Sequence, residues 1–196
     1  SYVLGDRERS TQMHIIEMKR YLIGTDPLMI KNFQFWAYNC YAERRSGIDL
    51  SCAVSGIEIA MWDIMGKYYN TPVYNLLGGP IHKKLKAYAN LASSRFQIPE
   101  AVAEKAKEMV KQGFTAVKMY PLDFDEDDEI VVDRVSKVRE AIGDHVDLMV
   151  DLWRKAEPKR AINIARRIEP LNIIWFEEPV ASDNVEAVME IKNNID

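Results

Sequence analysis

Apolar and polar positions divide the chain into two regimes that change near residue 80. The first regime has helical spacing. Ser10 and Thr11 can cap a helix that runs through Ile23 and stops at Gly24. Asp26-Pro27 offers an N-cap and a first-turn proline for a second helix bearing Met29, Ile30, Phe33 and Trp36. Ala53, Ile57, Ala60, Met61, Ile64 and Tyr68 recur every three or four residues, which predicts a strongly amphipathic helix over 53–68. Pro72 and the turn signal Gly78-Gly79-Pro80 close this part.

Beyond residue 80 short apolar runs alternate with helical stripes. Strands are expected over 86–91, 115–119, 146–150 and 173–176. Helices are expected over 99–112, ended by Gly113, over 127–142 with Val131, Val135, Val138 and Ile142 on one face, and over 158–168, ahead of Pro170. Asp183 can cap a last helix from Val185. Strand–helix alternation at this spacing makes a parallel sheet with right-handed crossovers, an α/β architecture after a mostly helical leader. The sheet is either doubly wound or an arc of a (β/α)8 barrel. An open sheet usually offers a glycine-rich phosphate loop after its first strand, and residues 90–95 contain no glycine. A complete barrel takes about 250 residues, so four strands fit part of one. The expected division is a helical portion over 1–80 and a partial barrel over 81–196.

Composition narrows the function classes. The 196 residues are 47% hydrophobic and 29% charged, the profile of a globular protein. A net charge of −4 argues against a dedicated nucleic-acid binder. The longest strongly apolar run, Ile173-Ile174-Trp175-Phe176, is far short of a membrane span. The opening residues 1–7 carry no apolar signal core and no initiator Met. Cys40 and Cys52 lack metal-ligand spacing and read as reduced, half-buried thiols of a cytoplasmic protein.

Three of the expected strands end on an ionisable residue: Lys118 in Val117-Lys118-Met119-Tyr120, Asp151 in Met149-Val150-Asp151, and Glu177 in Phe176-Glu177-Glu178-Pro179. In a parallel sheet these ends share one rim, where such folds build active sites. Neighbouring strands lie about 4.8 Å apart, so Asp151 and Glu177 can reach one cation together. Carboxylate oxygens without nearby His or Cys suit Mg²⁺ better than Zn²⁺. The plain alternative is that strand-end carboxylates cap helices or face solvent; three ionisable ends in series weigh against it. Successive strand residues face opposite sides, so only one of Glu177 and Glu178 can point into a site.

A resemblance rests on these residues. Ser55-Gly56-Ile57-Glu58-Ile59-Ala60-Met61-Trp62-Asp63-Ile64-Met65-Gly66-Lys67 followed by Pro72-Val73-Tyr74-Asn75-Leu76-Leu77-Gly78-Gly79 resembles the mandelate racemase/muconate lactonizing branch of the enolase superfamily. So does the ordered series Gly113-Phe114-Thr115-Ala116-Val117-Lys118, Val150-Asp151 and Phe176-Glu177-Glu178-Pro179, and the likeness runs from about Thr11 onward. It implies the helical part of an α+β capping domain followed by part of a modified (β/α)8 barrel. It also implies Mg²⁺ at strand ends and abstraction of the proton next to the carboxylate of a small hydroxy or sugar acid, with enediolate charge stabilised. By the family pattern Asp151 and Glu177 are metal ligands, and Lys118 is the first lysine of a Lys-x-Lys motif beside the substrate carboxylate. A homo-oligomer, with neither nucleic acid nor membrane as partner, is the matching expectation.

Two departures bear on the reaction. Tyr120 stands where the motif's second lysine belongs, so the lysine base of racemases is missing; Tyr120 either acts as an acid/base or packs and hydrogen-bonds. Trp153 stands where relatives often carry Asn or His, and with Arg154 it either lines a sugar-acid pocket or packs as an indole. The missing second lysine favours a sugar-acid dehydratase over a racemase. A third metal ligand and later acid/base groups find no counterpart before Asp196, so the expectation is a chain that needs completion, with an exposed edge at strand 173–176. The competing functions are a Schiff-base aldolase using Lys118 and a non-catalytic truncated chain.

Two weaker signals are set aside. Asp123-Phe124-Asp125-Glu126-Asp127-Asp128-Glu129 has the acidity of a calcium loop, but Asp128 replaces its turn glycine and Arg134 its closing Glu, so a solvated loop and an acidic first helical turn, favoured by the helix dipole, are expected. His14, His82 and His145 are scattered and join no triad.

Overall fold

A computed structural model of the chain describes residues 7–41, 47–91, 98–123 and 126–195. Outside these ranges fall most of the opening residues 1–7, residues 92–95 of the glycine-free segment, and Phe124 and Asp125 of the acidic run. The chain forms two compact units, Ser1–Lys84 and Leu85–Asp196.

The first unit is helical. Its elements are α1 (Glu8–Leu22), α2 (Ile30–Trp36), which runs on into a π-helical turn at Ala37–Tyr41, α3 (Ile48–Tyr68) and α4 (Val73–Leu76). Met18 of α1, Ala37, and Leu50, Ala53 and Val54 of α3 form its core, with Leu22, Phe33 and Ile57 packed against them. Three local expectations are corrected here. Neither Ser10 nor Thr11 caps α1, whose helix already begins at Glu8. Asp26-Pro27 makes a turn instead of a first helical turn: Asp26 Oδ1 accepts the Leu28 N–H at 2.8 Å, and α2 starts only at Ile30. Cys40 is exposed, whereas Cys52 is partly buried.

The second unit alternates β1 (Ala89–Asn90), α5 (Pro99–Lys111), β2 (Ala116–Met119), α6 (Asp128–Ile142), β3 (Asp147–Asp151), α7 (Pro158–Ile168), β4 (Ile173–Glu177) and α8 (Val185–Lys192). The strands form one parallel sheet in the order β1-β2-β3-β4. The first strand is shorter than its apolar run, because only Ala89 and Asn90 lie opposite paired residues of β2, with the Leu91 N–H reaching the Lys118 carbonyl at 2.7 Å. Burial follows the helical stripes. Val102, Ala103 and Ala106 of α5, Val131, Val135 and Val138 of α6, and Ala161, Ile164 and Ile168 of α7 are buried, as are Val117, Leu148 and Val150 of the sheet.

Caps and turns deliver each strand to its start. Gly113 takes φ +96° after α5, and the Phe114 N–H returns to the Met109 carbonyl at 3.2 Å, a close that a β-carbon would strain. Asp127 caps α6 by accepting the Glu129 N–H at 3.0 Å. Asn184, not Asp183, caps α8, accepting the Ala187 N–H at 3.1 Å. Arg139 is buried and donates to the carbonyls of Gly143, Val146, Leu171 and Asn172. It thereby satisfies the loops that lead into β3 and β4.

Candidate active site

Strand register determines which side chains can meet. Lys118 pairs with Met149, and Asp151, two residues further along β3, pairs with Glu177. Side chains alternate faces, so Lys118, Asp151 and Glu177 all project on one side of the sheet. Asn90, opposite Lys118, belongs to the same face.

The three groups converge. The Lys118 ammonium donates to Asp151 Oδ2 at 3.1 Å and to Glu177 Oε2 at 2.8 Å. Lys118 and Asp151 are almost fully buried, and Glu177 is about a third exposed at its side chain. Burial by itself pushes the Lys118 ammonium down, but the hydrogen bonds to Glu177 and Asp151 outweigh it and hold the group above the ordinary lysine value. The second oxygen of Asp151, Oδ1, accepts the Trp153 N–H at 2.8 Å, which fixes the carboxylate's orientation.

Aromatic side chains surround the ammonium. Its nitrogen lies 5.3 Å from the Tyr120 ring centroid and 5.9 Å from that of Tyr88. Tyr120 stacks at a tilt of 50° and 5.6 Å on Trp153, and its hydroxyl oxygen accepts the Asn90 side-chain amide at 3.1 Å. Trp153 is 55% exposed, so its free face borders open space. Glu178 turns away from this cluster. With φ +40° it meets Arg154 at 3.4 Å, and its carbonyl accepts the Arg154 N–H at 2.6 Å.

Tyr88 and Asn90 belong to no sequence motif. A signal for them existed: they stand two apart in the strand-like run 86–91, so both face one side, and Asn90 is a polar strand end like the other three. The acidic run is also reassigned. Glu126, Asp128 and Asp123 are only partly exposed and pair with Arg134, Arg160 and Lys155, while Glu129 meets Arg167. Apart from Arg134, eight residues from Glu126, the anchoring cations Lys155, Arg160 and Arg167 lie 32 to 38 residues away in sequence, which no local pattern reveals.

Asp151 and Glu177 present an all-oxygen donor pair already aimed at one positive charge, which suits a hard cation. Among the described residues no group of three or more His, Cys, Asp and Glu side chains could hold a metal ion. None of the helices described is long and apolar enough to cross a membrane.

Comparison with known proteins agrees with this architecture. Residues 2–78 match the family model of the mandelate racemase/muconate lactonizing enzyme N-terminal domain, and residues 101–196 match the enolase C-terminal domain-like model. A D-gluconate/D-galactonate dehydratase from Picrophilus torridus is 34% identical over 168 residues, covering 83% of this chain and 42% of that protein. A D-galactonate dehydratase from Pectobacterium atrosepticum is 31% identical over 190 residues, covering 94% of this chain and 49% of that protein. The chain thus spans less than half the length of these curated relatives. The crystal structure of the 3,6-anhydro-D-galactonate cycloisomerase from Zobellia galactanivorans superposes with a TM-score of 0.85 at 31% identity, over 95% of this chain and 51% of that one. The helical unit and the parallel sheet that follows it are a capping-domain portion and an arc of a (β/α)8 barrel, and the chain belongs to the mandelate racemase/muconate lactonizing branch of the enolase superfamily.

Proposed function

We propose that the rim formed by β2, β3 and β4 belongs to a Mg²⁺-dependent sugar-acid dehydratase. The observation that carries this reading is the convergence of Asp151 and Glu177 on the buried Lys118 ammonium. Asp151 and Glu177 are the residues that would hold the ion, which supplies Lewis-acid stabilisation of negative charge developing on the substrate carboxylate. Lys118 stays an ammonium at the pH of a cell, so it offers the substrate carboxylate a charge and a hydrogen bond. An imine-forming aldolase needs the neutral amine, and the double carboxylate pairing disfavours that state.

Tyr120, whose ring lies beside the Lys118 ammonium and whose hydroxyl oxygen accepts the Asn90 amide, is the candidate acid/base of this half of the site. Trp153 supplies an apolar wall for the carbon chain. In the reaction the α proton and the β hydroxyl leave together as water, and the resulting enol becomes a 2-keto acid. The gluconate and galactonate specificities of the relatives named above support a sugar acid as substrate. The expectation of a cytoplasmic homo-oligomer accompanies this reading.

The test uses the intact protein, supplied with Mg²⁺ and a panel of sugar acids in deuterated water. Lys118→Met should remove α-proton exchange and 2-keto acid formation by about a thousandfold, with Mg²⁺ binding retained. A change in KM with kcat preserved would reduce Lys118 to uniform substrate binding. Borohydride trapping of an imine at Lys118 would move the assignment to the aldolase.

A further inference from the structure

We infer that Lys155 is a positioning residue: it clamps the loop after β3 onto the loop after β2 and so holds Trp153 against Tyr120 at the mouth of the site. The inference rests on the reading above in one respect, that Trp153 lines the substrate pocket. The clamp itself is a matter of geometry. Lys155 Nζ donates to the Leu122 carbonyl at 3.2 Å and to Asp123 Oδ1 at 3.0 Å, across 32 to 33 residues of sequence. Its side chain is only 17% exposed, so the ion pair is shielded from water. The same nitrogen lies 5.9 Å from the Trp153 ring centroid.

The clamp grips a firm support. Arg134 of α6 binds both Glu126 carboxylate oxygens at 2.8 Å and also donates to the Pro121 carbonyl. The Asp123 N–H in turn donates to Glu126 Oε2 at 2.9 Å, so the segment that receives Lys155 is itself fastened to a helix.

The loop that Lys155 holds needs support. Trp153 and Arg154 take φ +47° and +61°, two consecutive left-handed residues without a glycine. That conformation is unfavourable for residues with a β-carbon, and it persists only where surrounding contacts impose it. Trp153 is more than half exposed and has Tyr120 as its aromatic partner, so little packing fixes the indole directly. The Lys155 N–H closes the turn on the Leu152 carbonyl at 3.0 Å, and its ammonium ties that turn to the opposite loop.

The experiment uses Lys155→Met, Lys155→Arg, Asp123→Asn and Trp153→Phe in the intact protein. The difference in near-ultraviolet circular dichroism between the parent and Trp153→Phe isolates the Trp153 signal. Lys155→Met should lose most of that signal with the far-ultraviolet spectrum unchanged. Lys155→Arg should keep it, because a guanidinium can meet both the carbonyl and the carboxylate. With a sugar acid, Lys155→Met should lower kcat/KM by about tenfold or more, and Trp153→Phe should add little in that background. An unchanged Trp153 signal in Lys155→Met, or full additivity of the two substitutions, would overturn the inference. If Lys155→Met does not fold, Asp123→Asn removes the other end of the clamp and gives the same readout. A parent protein that turns over no acid would sink the dehydratase reading, while the spectroscopic comparison would still decide whether Lys155 holds Trp153.

Discussion

In the unit from Leu85 to Asp196, the stripes of α5, α6 and α7 press onto a sheet whose Val117, Leu148 and Val150 are fully buried. In the unit from Ser1 to Lys84, α3 carries an equally regular stripe, yet only part of it is covered: Ala53 and Met61 are buried, while Ile64 is 43% and Tyr68 69% exposed. The difference lies in the partner surface. The parallel sheet offers a continuous apolar face to its crossover helices, whereas the core of the first unit gathers only Leu50, Ala53, Val54 and Ile57 from the first half of α3. The candidate chemistry sits on the better supported unit. Side chains on packed strands are held in place before a ligand arrives, which is what charge stabilisation requires.

The largest effect expected from this contrast is in the core of the sheet. Leu148→Ala should cost about 2–5 kcal/mol, measured by urea unfolding. Ile64→Ala should cost about 1 kcal/mol or less. Equal costs would mean that the α3 stripe is covered in solution as fully as the sheet, and the comparison would break.

A smaller, pH-dependent effect sharpens the account of the loop after β2. The hydrogen bond from Arg134 is the main reason that Glu126 is held below the usual carboxylate range; burial opposes it and the Asp123 N–H adds to it. A depressed carboxyl stabilises the fold above its unfolded value, about 4.3, and loses that contribution as pH falls through the lower folded value. Glu126→Gln should therefore cost about 1–3 kcal/mol near neutral pH. The gap from the parent should close as the solution is taken below about pH 4. A gap that stays constant with pH would remove the ion pair from the explanation.

The smallest effect tests the first unit on its own terms. In an exposed helix interior Gly→Ala gains about 1 kcal/mol. At Gly66 the added β-carbon would stand 2.9 Å from the Thr71 carbonyl oxygen and 3.3 Å from Val73 Cγ2. The Thr71 N–H is bonded to the Gly66 carbonyl at 2.9 Å, so that loop cannot retreat cheaply. Gly66→Ala should lower stability by about 1 kcal/mol. A gain in thermal midpoint would show the turn to be looser than this contact implies.

Much of the site was legible in the residues. Apolar runs with ionisable ends marked Asp151 and Glu177, which do end β3 and β4, whereas Lys118 lies inside β2, one residue before its end, and its buried charge is tolerated there because both carboxylates pair with it. Period-2 alternation also required Glu177 and Glu178 to diverge, but it could not say which faces Lys118. That followed from the register of β4 against β3 and from the left-handed turn at Glu178, neither of which has a local sequence signal. The acidic run does open α6 as its first turn, with Asp127 and Glu129 exposed, but Asp123, Glu126 and Asp128 are partly buried in ion pairs, which the sequence pattern does not signal. Arg134 lies within the helix that the run itself opens, but Lys155, Arg160 and Arg167 come from beyond β3, and pairing with them depends on how the elements dock.

By itself, then, the sequence determined the order of strands and helices, the faces they bury, and which residue types stand at the strand ends, since these depend on periodicity and on the local cost of burying polar groups. Only the tertiary structure decided that two carboxylates share one ammonium, that Asn90 reaches the Tyr120 hydroxyl, and that Lys155 bridges two loops. Those contacts join residues about thirty or more positions apart, and their distances are set by strand register and helix packing, which sum over the whole core.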